Sequence, residues 1–358
     1  MGEVALTAKR SGGAGLKALS IEPGRPVRVM LSQKTDSVSE ILSKFGRMQV
    51  ETKYDGARIQ VHKWEGGLKL FTRRLEDVTK QFPEVVEWSK ENVKASSTVI
   101  EGEIVALEDG GGRRPRPFQD LSRRIKRKYE IEKVRQEIPV EVNFFDLIYL
   151  DGVMKTGESF EARRRLLEES FTPTDSFRLA HSKVTDDERV VEEFYQDSLS
   201  LGHEGVMLKV LDAPYKPGSR VGYMYKVKPV LENLDLVVSG ATWGEGRRAS
   251  FLGSYLLSVR DDESGDLLEI GRMATGFSDK QLKRMTDKLK PLITETEGNE
   301  VRVKPEVVVE VAYEEIQKSP TYSSGFALRF PRLVRFREDK GVDDADSINR
   351  VNKIIESN

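Results

Sequence analysis

The 358-residue chain contains no cysteine, so disulfides and thiolate metal sites are excluded. Its three histidines, His62, His181 and His203, are scattered, which argues against a histidine-built zinc site. A metal would have to be a hard cation on carboxylates, phosphates and water, a description that suits Mg²⁺. No apolar run approaches the roughly 18 residues of a membrane span. The N-terminal "MGEVALTAKRSGGAGLKAL" lacks the apolar segment of a signal peptide, which predicts an intracellular, cytoplasmic protein (nuclear in a eukaryote). The phosphate-binding pattern GxxxxGK[ST] is also missing, so any phosphate site must be built another way. A large net charge is lacking too: the formal value is −1, and global charge does not advertise nucleic acid.

Charge is nevertheless abundant and unevenly placed. Charged residues make up 33% of the chain and hydrophobic ones 38%, the balance of a soluble globular protein. The length predicts two domains. "RRPRPFQDLSRRIKRK", residues 113 to 128, holds eight basic residues and one acidic. Such a cluster can neutralise phosphates; a solvated helix balanced by nearby acids is the plainer alternative.

Residues 1 to 20 read as a glycine-rich linker or as the remnant of a missing N-terminal domain. From 21 to 229 short strands alternate with helices such as "SVSEILSKFG", "KQFPEVVEWSKENVK" and "DDERVVEEFYQDSLSLG". In the second of these Val85, Trp88 and Val93 face inward by period. After Pro229 the texture becomes β-rich. About five strands with one inserted helix, "SDKQLKRMTDKLKPL", fit a small barrel of the oligonucleotide/oligosaccharide-binding type over 230 to 345. A helix or tail follows at 346 to 358. The fold class is therefore α+β.

Four predicted strands of the first domain carry charge where apolar residues belong: Lys53 with Asp55 and Arg58, Glu101 with Glu103, Glu204 with Lys209, and Lys226 with Lys228. Buried charges need partners, so these imply a shared polar cleft in one sheet. Several lysines and several carboxylates suit a nucleoside triphosphate with Mg²⁺. Without a phosphate-binding loop, the alternative is a lysine that attacks the nucleotide. In "VETKYDGARIQVH" that lysine is Lys53, at a bend set by Asp55 and Gly56. A β-bulge with solvated charges is the local alternative.

The ordered set K-x-D-G-x-R (53 to 58), "TRR" (72 to 74), "EGEIVA" (101 to 106), "FFDLIY" (144 to 149), "EGVMLK" (204 to 209), "YKVK" (225 to 228) and "RFREDK" (335 to 340) resembles the covalent nucleotidyltransferases, above all the ATP-dependent DNA ligases of archaeal and eukaryal type. The resemblance covers about residues 18 to 345. It implies an adenylyltransferase domain of ATP-grasp-like antiparallel sheets with helices, followed by an OB-fold barrel.

It also implies roles. Lys53 becomes the AMP-carrying nucleophile. A free lysine is neutral in only roughly one molecule in a few thousand at pH 7, so burial and the cations of Lys226 and Lys228 must favour the amine. Asp55 and Gly56 hold the turn, with Gly56 letting backbone approach the nucleotide. ATP would be held by Glu51 at the adenine, Glu103 at the ribose, Phe145 stacked on the base (Phe144 is its rival), and by Thr52, Lys209, Lys226 and Lys228. Arg58 and Arg73 (with Arg74 as its alternative) would take phosphates. Arg337 and Lys340 would orient the departing pyrophosphate. Glu103 and Glu204 would meet the metal. Arg123, Arg124, Lys126, Arg332 and Arg335 are the DNA candidates. His62 and His203 are expected to be local hydrogen-bond partners.

The implied activity is nick sealing in duplex DNA through lysyl-AMP by a monomer. The rivals are an RNA ligase, a GTP-using mRNA capping-type enzyme and a non-catalytic nucleic-acid-binding scaffold; an NAD⁺-dependent ligase is disfavoured by the missing cysteines. Replicative relatives carry a helical DNA-binding domain before this core, a route to a sliding clamp. Without it, poor and salt-sensitive sealing is expected.

Overall fold

The computed structural model describes Lys9 and residues 21–108, 114–229 and 231–356. The expected linker at 1 to 20, Lys9 apart, and the glycine-rich loop at 109 to 113 with Arg113 lie outside them. The chain divides into two compact units, the first ending at Pro229.

The first unit contains two sheets. One has five strands in the order β1-β11-β10-β2-β9: β1 (Gln33–Lys34), β2 (Met48–Thr52), β9 (Ser182–Thr185), β10 (Val206–Val210) and β11 (Met224–Val227). All its pairs are antiparallel except β1 with β11. The other is built from β3 (Ala57–Trp64), β4 (Gly67–Thr72), β5 (Thr98–Ala106), β6 (Val140–Leu150) and β7 (Val153–Met154) in the order β4-β3-β5-β6-β7, with β8 (Phe177–Leu179) parallel to β6. The charged strand positions thus fall in two sheets rather than the single sheet expected. Asp55 and Gly56 do more than bend a strand: the chain leaves the first sheet at Thr52 and enters the second at Ala57.

Each sheet covers one face with helices. Met48, Val50, Val206, Leu208 and Tyr225 pack against Ile41 and Leu42 of helix Val38–Phe45 and against Val191 and Phe194 of helix Glu188–Ser200. Ile59, Val61, Ile100, Val142 and Phe144 pack with Val85 of helix Pro83–Asn92 and Leu167 of helix Phe160–Ser170. Strand period two then turns the intervening residues to the other face. These are Gln49, Glu51, Met207, Lys209 and Lys226 in the first sheet. In the second they are Arg58, Gln60, Glu101, Glu103, Asn143 and Phe145. The two polar faces meet where the Lys209 Nζ lies 4.4 Å from the Phe145 ring centroid.

His62 is fully buried on β3. Its Nδ1 accepts from the Gly24 N–H at 3.2 Å, so Nε2 carries the proton and faces the Gln60 Oε1 at 3.2 Å. Burial pushes its pKa down to about 3. Between there and the ordinary imidazole value the unfolded chain binds the extra proton, so stability falls as pH drops through that window. His62→Gln is expected to remove roughly 2 kcal/mol from the stability difference between about pH 7 and pH 4.5. Thermal melts across that range check it, and an unchanged acid limb would contradict it.

The second unit is an OB-fold barrel. Its sheet runs through β12 (Leu234–Trp243), β13 (Leu252–Arg260), β14 (Leu267–Met273), β15 (Ile293–Glu297), β16 (Glu300–Val303), β17 (Val308–Ala312) and β20 (Arg332–Phe336). Helix Asp279–Leu289 intervenes, and β18 (Glu315–Lys318) pairs with β19 (Phe326–Arg329) as a hairpin. After residue 345, where a helix or tail was expected, helix Ile348–Glu356 follows, and its Val351 and Ile354 join the barrel core. Among the described residues no helix is long and apolar enough to cross a membrane.

Candidate functional site

Lys53 sits at the head of the crossover between the two sheets. Its N–H donates to the Gly205 carbonyl at 2.9 Å and its own carbonyl accepts from the Glu204 N–H at 3.0 Å, which zips the crossover onto the segment before β10. Glycine is required at 205: φ is +122°, and a Cβ would lie 2.3 Å from the Val227 carbonyl oxygen. At Gly56 a Cβ would lie 2.2 Å from the Ile104 carbonyl oxygen and 2.9 Å from Glu103 Cγ. Gly56 thus permits a close approach of the crossover to β5.

The Lys53 ammonium pairs with Glu204 Oε2, which also takes Lys228 Nζ at 2.9 Å. Burial pushes the Glu204 carboxyl up, but the charges of Lys53 and Lys228 overcome it and hold the group below the usual carboxylate range. Glu103 behaves oppositely. Burial pushes it up to about 8, only partly countered by Lys53 and Arg58, while Glu204 and Asp55 add to the rise. The two carboxylates of the cleft thus differ: Glu204 is held ionised by two lysines, whereas burial outweighs the cations that face Glu103.

Arg58 is committed on two sides: Nη1 donates to the Met30 carbonyl at 2.9 Å and Nη2 to Glu101 at 2.6 Å. Glu101, fully buried, also accepts from Gln60 at 2.9 Å and Tyr215 at 2.9 Å. Arg58 Nε is buried with no partner among the described residues, an orphan donor for an incoming anion. Arg73, just past β4, is exposed, and its N–H donates to the Arg58 carbonyl at 3.2 Å.

Phe144 and Phe145 separate cleanly. Phe144 is fully buried against Phe171 and Phe177, with ring centroids 5.5 and 4.6 Å away. Phe145 is half-buried on the polar face. Glu101 pairs with Asp146 and Gly102 with Phe144, so Phe145 is the extra residue of a β-bulge, a device that re-aims a side chain. Lys209 Nζ and the Arg58 guanidinium lie 4.4 and 5.2 Å from its centroid.

Lys209 itself is buried and bound to Glu51 at 2.6 Å, and Gln49 donates to the other Glu51 oxygen at 2.9 Å. Its reach is spent on Glu51 and Phe145. Thr52 is also buried, its N–H donating to the His181 carbonyl at 3.0 Å. Gln49, Gln60 and Tyr215 were not anticipated. The alternation of Gln49 with Glu51 was the available signal for the first; nothing in the sequence points to Tyr215, which arrives from a loop. His203 packs edge-on against Tyr54 at 4.9 Å.

The barrel carries its own charged group. Arg337 Nη1 and Lys340 Nζ share Asp235 Oδ2 at 2.6 and 2.8 Å, and Arg337 Nε and Nη2 face Asp339 at 3.0 and 2.7 Å.

The basic segment must be corrected at Arg124. It is 1% exposed, holds both Glu84 oxygens, and donates to the Gln81 and Ile138 carbonyls. On helix Phe118–Ile125 its position turns inward with Leu121, so it bolts the helix to the domain and is unavailable to DNA. Arg123 and Lys126 are exposed, as is Arg332; Arg335 is exposed but paired with Glu310 at 2.5 Å.

Residues 29–228 match the family model of the ATP dependent DNA ligase domain, and residues 248–340 that of the ATP dependent DNA ligase C terminal region. A DNA ligase of Thermococcus onnurineus is 48% identical over 356 residues, 99% of this chain and 63% of that protein. A DNA ligase of Methanopyrus kandleri is 49% identical over 358 residues, 99% of this chain and 64% of that protein. The chain thus spans less than two thirds of the length of these curated relatives. The solved structure of a Lig E DNA ligase, 21% identical, has the same fold at a TM-score of 0.57, covering 86% of this chain and 98% of that one. On both family models and on identity across nearly its whole length, the chain belongs to the ATP-dependent DNA ligase family.

Proposed function

We propose that this chain is a nick-sealing catalytic core that carries AMP on Lys53. The observation that carries the proposal is the placement of Lys53 on the crossover, where it pairs with Glu204, which also takes Lys228, and faces the buried carboxyl of Glu103. Lys53 Nζ attacks the α-phosphorus of ATP. A nitrogen–phosphorus bond forms, the bond from the α-phosphorus to the bridging oxygen breaks, and pyrophosphate departs with that oxygen; the ammonium gives up two protons to solvent, one before the attack and one after it, and keeps the third as the phosphoramidate N–H. AMP then passes to the 5′-phosphate of a nick, and the 3′-hydroxyl displaces it.

Glu51, held by Lys209 and Gln49, and the re-aimed Phe145 form the base end of the proposed site. Glu103 meets the ribose. The Arg58 Nε, Arg73, Lys226 and Lys228 take phosphate oxygens, and Asp55 supports the turn. Lys209 and Thr52 act from behind the surface. Mg²⁺ fits the residues present. Among the described residues no three acidic or histidine side chains converge as a cage, but Glu103 and Glu204 supply carboxylates beside the phosphate-binding cations, the sparse protein ligation that Mg²⁺ tolerates. Such an ion would supply charge neutralisation at the phosphates. All of these groups are on one chain, so a monomer suffices.

Incubation with labelled ATP and, separately, GTP tests the reading. A covalent adduct from ATP alone is expected. Labelling by GTP alone would favour the capping-type activity, and no adduct from either would favour a binding scaffold.

Nicked duplex DNA is the proposed partner, met by Arg123, Lys126, Arg332 and Arg335. Lys126→Ala is expected to leave the melting temperature unchanged and to reduce the log–log salt slope of nicked-DNA binding by about 1. Arg124→Ala is expected to do the reverse, destabilising by about 3–5 kcal/mol because Glu84 is left buried and unpaired, with an unchanged slope. Parallel melts and salt titrations decide; a reduced slope in the folded Arg124 variant would restore it as a DNA contact.

A further inference from the structure

The barrel contains a buried carboxylate, Asp235, that neither the sequence motifs nor the proposed chemistry accounts for. Asp235 lies in β12, six residues after the end of the first unit. Its side chain is only 10% exposed, and its single oxygen Oδ2 takes both Arg337 Nη1 and Lys340 Nζ. Oδ1 is buried with no partner among the described residues. An unsatisfied buried carboxylate oxygen is costly, and such costs gather at functional sites.

The loop that follows β20 is pinned from two directions. Phe336 and Glu338 turn to helix Asp279–Leu289: the Arg284 guanidinium lies 4.4 Å from the Phe336 ring centroid, and Glu338 takes Arg284 at 2.7 Å and Lys288 at 2.9 Å. Arg337 and Lys340 turn to Asp235. The backbone adds a turn, with the Lys340 N–H on the Arg337 carbonyl at 3.2 Å and the Arg337 N–H on the Val308 carbonyl at 3.0 Å. On its remaining edge Arg337 presents Nε and Nη2 as a fork, occupied by Asp339, whose side chain is 62% exposed. The two acidic partners therefore differ. Asp235 is sequestered and shared by both cations; Asp339 is hydrated and held only at the outer edge.

We propose that Asp235 is the positioning residue that fixes Arg337 and Lys340 as one preformed clamp for the pyrophosphate end of ATP, with Asp339 occupying the outer fork until an anion displaces it. The proposal rests on the adenylylation reading above. A phosphate oxygen pair matches the geometry in which a guanidinium fork takes a carboxylate. Displacing Asp339 returns an exposed carboxylate to water, whereas displacing Asp235 would leave a buried one unpaired. Loss of the anchor would let both cations drift, and misplacement by about 1 Å costs on the order of a hundredfold at a positioned group.

The test is Asp235→Asn in the full chain, with three readouts. In self-adenylylation the KM for ATP is expected to rise at least about tenfold. In the reverse reaction, release of AMP from the preformed adduct by added pyrophosphate, the half-saturating pyrophosphate concentration should rise by a similar factor. Sealing of a nick already carrying 5′-adenylate involves no pyrophosphate and should stay within about twofold of wild type; a merely structural role would depress it equally. Asp235→Glu keeps the charge and moves the anchor by one methylene, and carries the same test should the asparagine variant not fold. Wild-type ATP and pyrophosphate dependence in a folded variant overturns the proposal. So does an equal loss in all three readouts. Failure of the wild-type chain to form any adduct would instead overturn the adenylylation reading itself.

Discussion

Lys53→Ala is expected to abolish the covalent AMP adduct, with a loss of at least about 10³-fold in self-adenylylation. No second amine replaces it. The Lys228 ammonium shares Glu204 at 2.9 Å, but it lies beyond the crossover on a chain segment with its own partners, and Lys209 is buried and bound to Glu51. The fold should survive, because Lys53 is joined to the segment before β10 by its backbone, through Gly205 and Glu204, and the alanine keeps both bonds. Glu204 keeps one cation. Sealing of a pre-adenylylated nick needs no amine and should fall by roughly tenfold or less. The split between the two steps is the diagnostic. An adduct on another lysine of this cleft would move the nucleophile, and equal loss of both steps would point to a damaged site.

Asp146→Ala is expected to lower the stability of the first unit by about 3–5 kcal/mol, the usual cost of orphaning one partner of a buried ion pair. Asp146, 3% exposed, takes Arg163 Nε at 2.8 Å and Nη2 at 3.0 Å, and Arg163 is fully buried. The same guanidinium donates to the Glu158 and Ala213 carbonyls at 2.6 and 3.1 Å. One cation therefore joins β6, the start of helix Phe160–Ser170 and the loop after β10. Denaturant unfolding followed in the first unit measures the loss. A change below about 1 kcal/mol would mean that water reaches Arg163 and that the pair is not a fastener.

The sequence made the chemistry more legible than the architecture. Lys53, Glu103 and Glu204 were visible because charge interrupts strand alternation. Their assignment to a single sheet failed, because nothing local distinguishes a strand that bends from one that ends and restarts in another sheet. The barrel's β15 and β16 were missed for a different reason. "ITETE" is exposed apart from half-buried Ile293 and carries little apolar signal, while "EVRV", whose Val301 and Val303 do alternate into the core, is only four residues long. Arg124 shows the limit of reading charge as surface. Its neighbours Arg123 and Lys126 are exposed, and only helical phase, with Leu121 three residues earlier, turns it inward to Glu84. Asp235 was hidden in an apolar strand whose partners lie about a hundred residues away.

The central claim is that Lys53 carries AMP. Intact-mass measurement of the purified chain after incubation with ATP and Mg²⁺, followed by peptide mapping, tests it directly. The account predicts one AMP per chain, located on Lys53 and released by pyrophosphate. A chain that gains no mass, or gains it at any other residue, would contradict it.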